Sequence, residues 1–162
     1  MKTILLLVGK TVDKHFIAGI NGYAERIAHY MPFEIVTIPE LKNTKNLSEE
    51  QQKTMEGELI LKQLQPSDTV VLMDEHGKEF TSIEYARWLE QKRATARRLV
   101  IIIGGPYGFS QKVYERANEK ISLSRMTFSH QMVRLIMTEQ LYRACTIIKL
   151  SLIHISEPTR PY

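Results

Sequence analysis

With 162 residues, 43% of them hydrophobic and 25% charged, the chain is sized for one domain with an ordinary globular core. The single cysteine, Cys145, excludes an intrachain disulfide, and no Cys/His spacing of the zinc-binding kind occurs. The formal charge of +4 permits a polyanionic partner without requiring one.

The opening apolar stretch, residues 4–8, is cut off at Gly9-Lys10, well short of the roughly 7–15 apolar residues of a secretory leader. No run approaches the roughly 20 apolar residues of a membrane span. A soluble, cytoplasmic protein is therefore expected, with no membrane contact and no metal.

Residues 3–8 form a continuous apolar run, which predicts a strand buried on both faces. Asp13 is placed to cap a helix over residues 14–29, whose Phe16, Ile20, Tyr23 and Ile27 recur at spacings of three and four. Residues 33–38 predict a second strand, and 39–48 a polar loop. Ser48, with Gln51 in the capping-box position, starts a helix to about Leu64. After a Pro66-Ser67-Asp68 turn, residues 69–73 predict a third buried strand, followed by a loop at 74–78 and a helix over 82–92. Residues 99–103 give the fourth strand, which runs into Gly104-Gly105-Pro106-Tyr107-Gly108. Ser110 caps a helix to about Asn118, residues 121–124 form a short fifth strand, and 126–130 a loop. A long helix over 131–148 carries Val133, Ile136, Met137, Leu141 and Ala144 on one side.

Strands alternating with helices predict an α/β protein, a mostly parallel sheet with helices on both faces. In such sheets ligands bind beyond the carboxyl ends of the strands, which directs attention to the loops after Met73, Ile103 and Leu123. Gly104 and Gly105 remove side-chain bulk where a backbone can touch a ligand, or they serve a tight turn that needs positive φ. The pattern is neither a dinucleotide fingerprint nor a P-loop. The segment Leu123-Ser124-Arg125-Met126-Thr127-Phe128-Ser129-His130 mixes hydroxyls, a cation, an aromatic ring and an imidazole, a mixture that suits an adenosine-like ligand. Its plainer reading is a helix-capping loop that buries Met126 and Phe128.

His130 and Arg134 share a helix face, and a guanidinium at Arg134 matches phosphate geometry. Glu139 and Arg143 have the spacing of an exposed ion pair. Asp74, Glu75 and His76 lack a partner at helical spacing and do not make a metal site. The basic run at residues 92–98 is either a solvated helix end or a face toward RNA.

Several blocks together resemble the ribosomal RNA large subunit methyltransferase H family, of the SPOUT class. They are Leu6-Leu7-Val8-Gly9-Lys10, Met31-Pro32-Phe33-Glu34, Asp74 with Gly77-Lys78, and Ile103-Gly104-Gly105-Pro106 with Gly108. To these add Leu123-Ser124 with Met126-Thr127-Phe128, His130 and Val133-Arg134, and Glu139-Gln140 with Tyr142-Arg143-Ala144. The resemblance covers residues 1–148 and implies a SPOUT domain with a carboxyl-terminal trefoil knot, a homodimer, and S-adenosyl-L-methionine as cofactor. It implies methylation of N3 of a pseudouridine in large-subunit (23S) ribosomal RNA, on the assembled ribosome.

Carried over by position, the cofactor would touch Leu72, Met73, Gly104, Gly105, Leu123, Ser124, Arg125, Met126, Thr127 and Phe128. His130 is the candidate base and Arg134 the candidate stabiliser, with Tyr142 and Arg143 toward the RNA. Residues 149–162 do not resemble the family ending, and part of this stretch, residues 150–155, alternates partly like a strand. A cofactor-holding, ribosome-binding module with little turnover is therefore the alternative reading.

Overall fold

The longest apolar runs of the chain become the middle of a sheet. In a computed structural model, which describes residues 1–153, five strands lie in the order β2-β1-β4-β3-β5. They are β1 (Lys2–Val8), β2 (Phe33–Ile38), β3 (Thr69–Glu79), β4 (Arg98–Ile103) and β5 (Glu119–Ser122). Every pairing is parallel. The helices are α1 (Lys14–Ala28), α2 (Glu49–Lys62), α3 (Ser82–Thr95), α4 (Gln111–Arg116) and α5 (Met132–Ile153).

Alternate residues of each strand point to opposite faces, so one strand feeds two cores. Leu5, Leu7, Val71, Ile101 and Ile103 pack with Ile27 of α1, Leu89 of α3 and Met137 and Leu141 of α5. Ile4, Leu6, Val70, Leu72, Val100 and Ile102 pack with Ile60 of α2 and Val113 of α4. Full burial of each such side chain contributes roughly 1.5–3 kcal/mol. Continuous apolar strands are what two covered faces require.

The capping residues read from the sequence perform that role. Asp13 accepts from the His15 and Phe16 amides, Ser48 and Gln51 form a reciprocal box, and Ser110 accepts from the Val113 amide. Thr81 and Glu84 form a second box at the start of α3. Each cap is worth about 1 kcal/mol.

Three expectations need correction. The third strand does not stop at Met73: β3 runs to Glu79 with a register shift, Met73 and Lys78 both lying beside Ile121. The polar residues 74–77 therefore form a bulge within the strand, not a free loop. Gly77 makes this possible, since a Cβ there would stand 2.6 Å from the Ile121 backbone. β5 begins at Glu119, two residues earlier than expected, because it pairs with β3 from Val71 onward. The last helix continues beyond Ile148 to Ile153, so residues 150–153 are helical and not strand-like. Residues 154–162, including the rest of that alternating stretch, lie outside the described residues.

Candidate active site

β4 ends at Ile103 and β5 at Ser122, while β3 leaves its straight course after Met73. Beyond these ends opens a cavity of about 630 Å³, within the range of small-molecule sites. Three segments wall it: 73–76 from the β3 bulge, 103–109 after β4, and 122–124 with 126–130 after β5. Tyr114 of α4 and Val133 of α5 complete the lining. Of the residues singled out in the sequence, Met73, Gly104, Gly105, Leu123, Ser124, Met126, Thr127, Phe128 and His130 meet here.

The β5 segment is shaped by its own hydroxyls. Ser122 Oγ donates to the Ser124 carbonyl at 2.9 Å, and Ser124 Oγ accepts from the Met126 amide at 3.0 Å. Ser129 Oγ accepts from the Met132 amide at 3.0 Å and so starts α5. Met126 is 76% exposed, and Phe128 stands at the rim, so this loop does not bury its apolar side chains in the core as the plainer reading had it.

Neither Gly104 nor Gly105 has positive φ; the turn's left-handed residue is Gly108, at φ +84°. Gly104 serves close packing against a ring instead, while Gly105 faces the movable tip of an acidic side chain. A Cβ on Gly104 would lie 2.9 Å from the Phe109 ring, and one on Gly105 2.9 Å from a Glu56 carboxylate oxygen. Glu56, on α2, accepts a hydrogen bond from the Gly105 backbone; burial pushes its carboxyl above the usual range, against that bond, and Glu40 adds repulsion. No local sequence signal pointed to Glu56, because the contact joins residues about fifty apart.

Other candidates stand away from the cavity. Leu72 is fully buried in the core on the α2/α4 face. Arg125 reaches outward to Glu79 at 3.2 Å, its side chain 91% exposed. Arg134 is fully buried; its guanidinium donates to the carbonyls of Val8 at 2.6 Å and Gly9 at 2.9 Å, and to Thr11 Oγ1 at 3.0 Å. Those bonds leave its Nε alone without a partner among the described residues. Tyr142 packs against Tyr23 and Tyr30, with the Arg26 guanidinium over its ring. Arg143 pairs with Glu139 one helical turn away, the pairing their spacing suggested. Within the basic run, Lys92 pairs with Glu119 and Arg98 with Asp68, so two of its cations hold the fold together.

Asp74 and Tyr114 were not singled out in the sequence as cavity residues that act together. Tyr114 donates its hydroxyl to Asp74 Oδ2, and the His76 amide donates to Oδ1 at 2.8 Å. Burial, the bond to Asp74 and the charges of Asp74 and Glu75 push the Tyr114 hydroxyl up to about 12, so it remains a donor.

A parallel sheet of this order, with a cavity built at its carboxyl ends by the segments after β3, β4 and β5, goes with a family assignment. The chain belongs to the SPOUT methyltransferases: a family model described as "Predicted SPOUT methyltransferase" matches residues 1–154. Among its relatives, it is 66% identical over 149 residues to the Ribosomal RNA large subunit methyltransferase H of Phocaeicola vulgatus, covering 91% of this chain and 95% of that protein. It is 64% identical, with the same coverage, to the protein of that name from Bacteroides fragilis. To the one from Porphyromonas gingivalis it is 52% identical over 149 residues.

Proposed function

We propose that this protein uses S-adenosyl-L-methionine to methylate N3 of a pseudouridine in large-subunit ribosomal RNA. It would act in the cytoplasm as a homodimer on the assembled ribosome, with its carboxyl-terminal part tied in the knot that the family resemblance implies. The observation that carries this reading is the convergence of three strand-end segments on one cavity, in a chain whose relatives are named for ribosomal RNA methylation. No helix among the described residues is long and apolar enough to cross a membrane.

The residues present fit an adenosine-containing cofactor. The cavity has the volume of a small-molecule site, and it combines apolar side chains (Met73, Leu123, Phe128) with backbone and hydroxyl groups at Gly104, Gly105, Ser124 and Thr127. Bound there, S-adenosylmethionine would supply an electrophilic methyl group. The chain's own task is then alignment and proton removal. The imide N3–H of the base is protonated at neutral pH, so its proton must leave for the nitrogen to attack. His130, on the cavity wall at the start of α5, is our candidate to take that proton. Leu72 would act from behind the wall, by fixing the end of β3.

Arg134 contacts no cavity residue that would hold a base. We propose that it positions the site, by tying α5 to the end of β1 through Val8 and Gly9. Tyr142, packed against α1, and Arg143, paired with Glu139, are our candidates for RNA contact in the dimer, as is the exposed Arg125.

Two measurements test the reading. Calorimetry should detect S-adenosylmethionine binding to the purified protein. Mass-spectrometric mapping should find one methylated pseudouridine in ribosomal RNA that is missing in cells lacking the protein, and ribosome binding should weaken steeply with salt as phosphate counterions are released. Cofactor binding without methylation would favour the binding-module alternative; no cofactor binding would end both.

A further inference from the structure

The chain is basic, yet its cavity is not. The formal charge of the protein is +4, but the charged or titratable side chains on the cavity wall are Asp74, Glu75, His76, Tyr107, Tyr114 and His130, and neither Lys nor Arg is among its lining residues. A wall of that sign repels phosphate and attracts a cation.

Asp74 is the fixed element of this wall. It is half-buried, and each carboxylate oxygen is held by a donor: the His76 amide on Oδ1 and the Tyr114 hydroxyl on Oδ2. Both donors are neutral. They orient the carboxylate without cancelling its charge, in contrast to Asp68, which is paired with Arg98. The Lys120 ammonium lies over the ring of Tyr114, 5.7 Å from its centroid, and forms no ion pair with Asp74 among the described residues. Half-burial lowers the local dielectric and strengthens the field of such a charge at short range.

This bears on a choice that any methyltransferase faces. The donor and its demethylated product share adenosine and the amino-acid end, and differ by one methyl group and one positive charge: the sulfonium carries it and the thioether does not. Shape alone discriminates weakly between ligands that differ by one methyl group. A fixed negative charge discriminates between them by charge.

We propose that Asp74, oriented by Tyr114 and the His76 amide, is the specificity residue that favours the sulfonium donor over the thioether product. The proposal rests on the cofactor reading above. It assigns Tyr114 a positioning role, and it gives a route for turnover: once the methyl group has left, the attraction that held the donor is gone, and the product is released.

The test is a binding comparison on the intact protein, read by calorimetry with three probes: S-adenosylmethionine, S-adenosylhomocysteine and 5′-methylthioadenosine. Asp74→Asn keeps the shape and an acceptor for Tyr114 while removing the charge. It should weaken S-adenosylmethionine on the order of tenfold, and change the two uncharged-sulfur probes by less than about threefold. Tyr114→Phe keeps the charge, so the preference for donor over product should persist even where overall affinity falls. Equal loss of all three probes in Asp74→Asn would show a structural role and overturn the proposal, as would an unchanged donor-to-product ratio. Failure of the wild-type protein to bind any probe would instead overturn the cofactor reading beneath it.

Discussion

The two ends of the sheet solve opposite problems. At the amino-terminal ends of the strands, charges are matched. Asp68, 4% exposed, accepts two hydrogen bonds from Arg98, at 2.8 and 2.7 Å, while Arg116 donates to the Gln65 and Asp68 carbonyls. Glu119 is held by Lys92 and by the Trp88 indole. At the carboxyl-terminal ends carboxylates gather with few cations: Glu40 and Glu56 repel one another, Asp74 has only neutral donors, and apolar side chains such as Met126 stand exposed. A fold can afford unmatched charge and exposed apolar surface at one end when the other end and the two cores supply the stability. The difference marks where a ligand's binding energy has a place to act.

The largest effect should come from breaking the matched end. Burial pushes the Asp68 carboxyl up, but the bonds from Arg98 and the Gln65 amide, with the charges of Arg98 and Arg116, outweigh it and hold the group below its usual value. A depressed carboxyl contributes stability above its unfolded pKa, and that contribution is lost as the pH falls through the folded value. Asp68→Ala should therefore cost about 3 kcal/mol in denaturant unfolding at neutral pH, and progressively less as the pH falls through the lowered folded value. Cofactor affinity at neutral pH should be unchanged. A variant that loses cofactor binding while still folded would mean the two ends are not separable.

Next comes the cavity end. Gly105→Val should weaken cofactor binding roughly a hundredfold, about 2.7 kcal/mol, because a branched side chain would crowd the backbone where it lines the cavity. Calorimetry beside a melting curve separates this from unfolding; unchanged affinity would remove Gly105 from the site.

Glu56 offers a smaller and inverse effect. Its carboxyl sits above the usual range, first because of burial and then because of Glu40, against the Gly105 bond. For a raised carboxyl the sign reverses: the folded state holds the proton more tightly, so stability declines as the pH rises from the unfolded to the folded value. Glu56→Gln keeps an acceptor for the Gly105 amide and removes the charge. It should raise stability at neutral pH by up to about 1 kcal/mol, with a shallower decline as the pH rises from the unfolded to the raised folded value. A destabilised Gln variant would show that the charge itself holds the loop.

The smallest effect belongs to the exposed pair of Lys2 and Glu34, 2.6 Å apart with side chains about half exposed. Lys2→Ala should change stability by no more than about 0.5 kcal/mol, as measured by urea unfolding. A larger loss would mean that exposed pairs at this end share in the buried network.

The central strands and the helix starts were legible in the sequence because their signals are local. The apolar runs of β1 and β4 require two covered faces, and Asp13, Ser48 and Ser110 each stand directly before the helix they cap. The bulge in β3 was not legible, since Asp74-Glu75-His76 has the composition of a loop and only the pairing with β5 keeps it in the sheet. Gly77 is silent for the same reason: its neighbour is the Ile121 backbone. Of the site, the glycines and the 123–130 segment were visible as unusual residue mixtures after strands. Glu56 and the Tyr114 bond that orients Asp74 were not, because each depends on partners some forty to fifty positions away. Arg134 shows the limit from the other side: a helical Arg four residues from a His suggests a ligand contact, and the fold uses it as an internal strut.

That strut has a consequence for the order of assembly. Gln131 accepts from the Val12 amide and donates to the Lys10 carbonyl, and Arg134 holds Val8 and Gly9. The first strand's end is thus clamped by residues synthesised about 120 positions later. A chain emerging from the ribosome can pair β1 with β2, but it closes the loop after β1 only when α5 has been made. Contacts of such sequence separation slow folding. In pulsed hydrogen exchange during refolding, the Val12 amide should gain protection only in the last phase, together with α5, well after the β1 amides; early protection of Val12 would place the clamp before the helix that forms it.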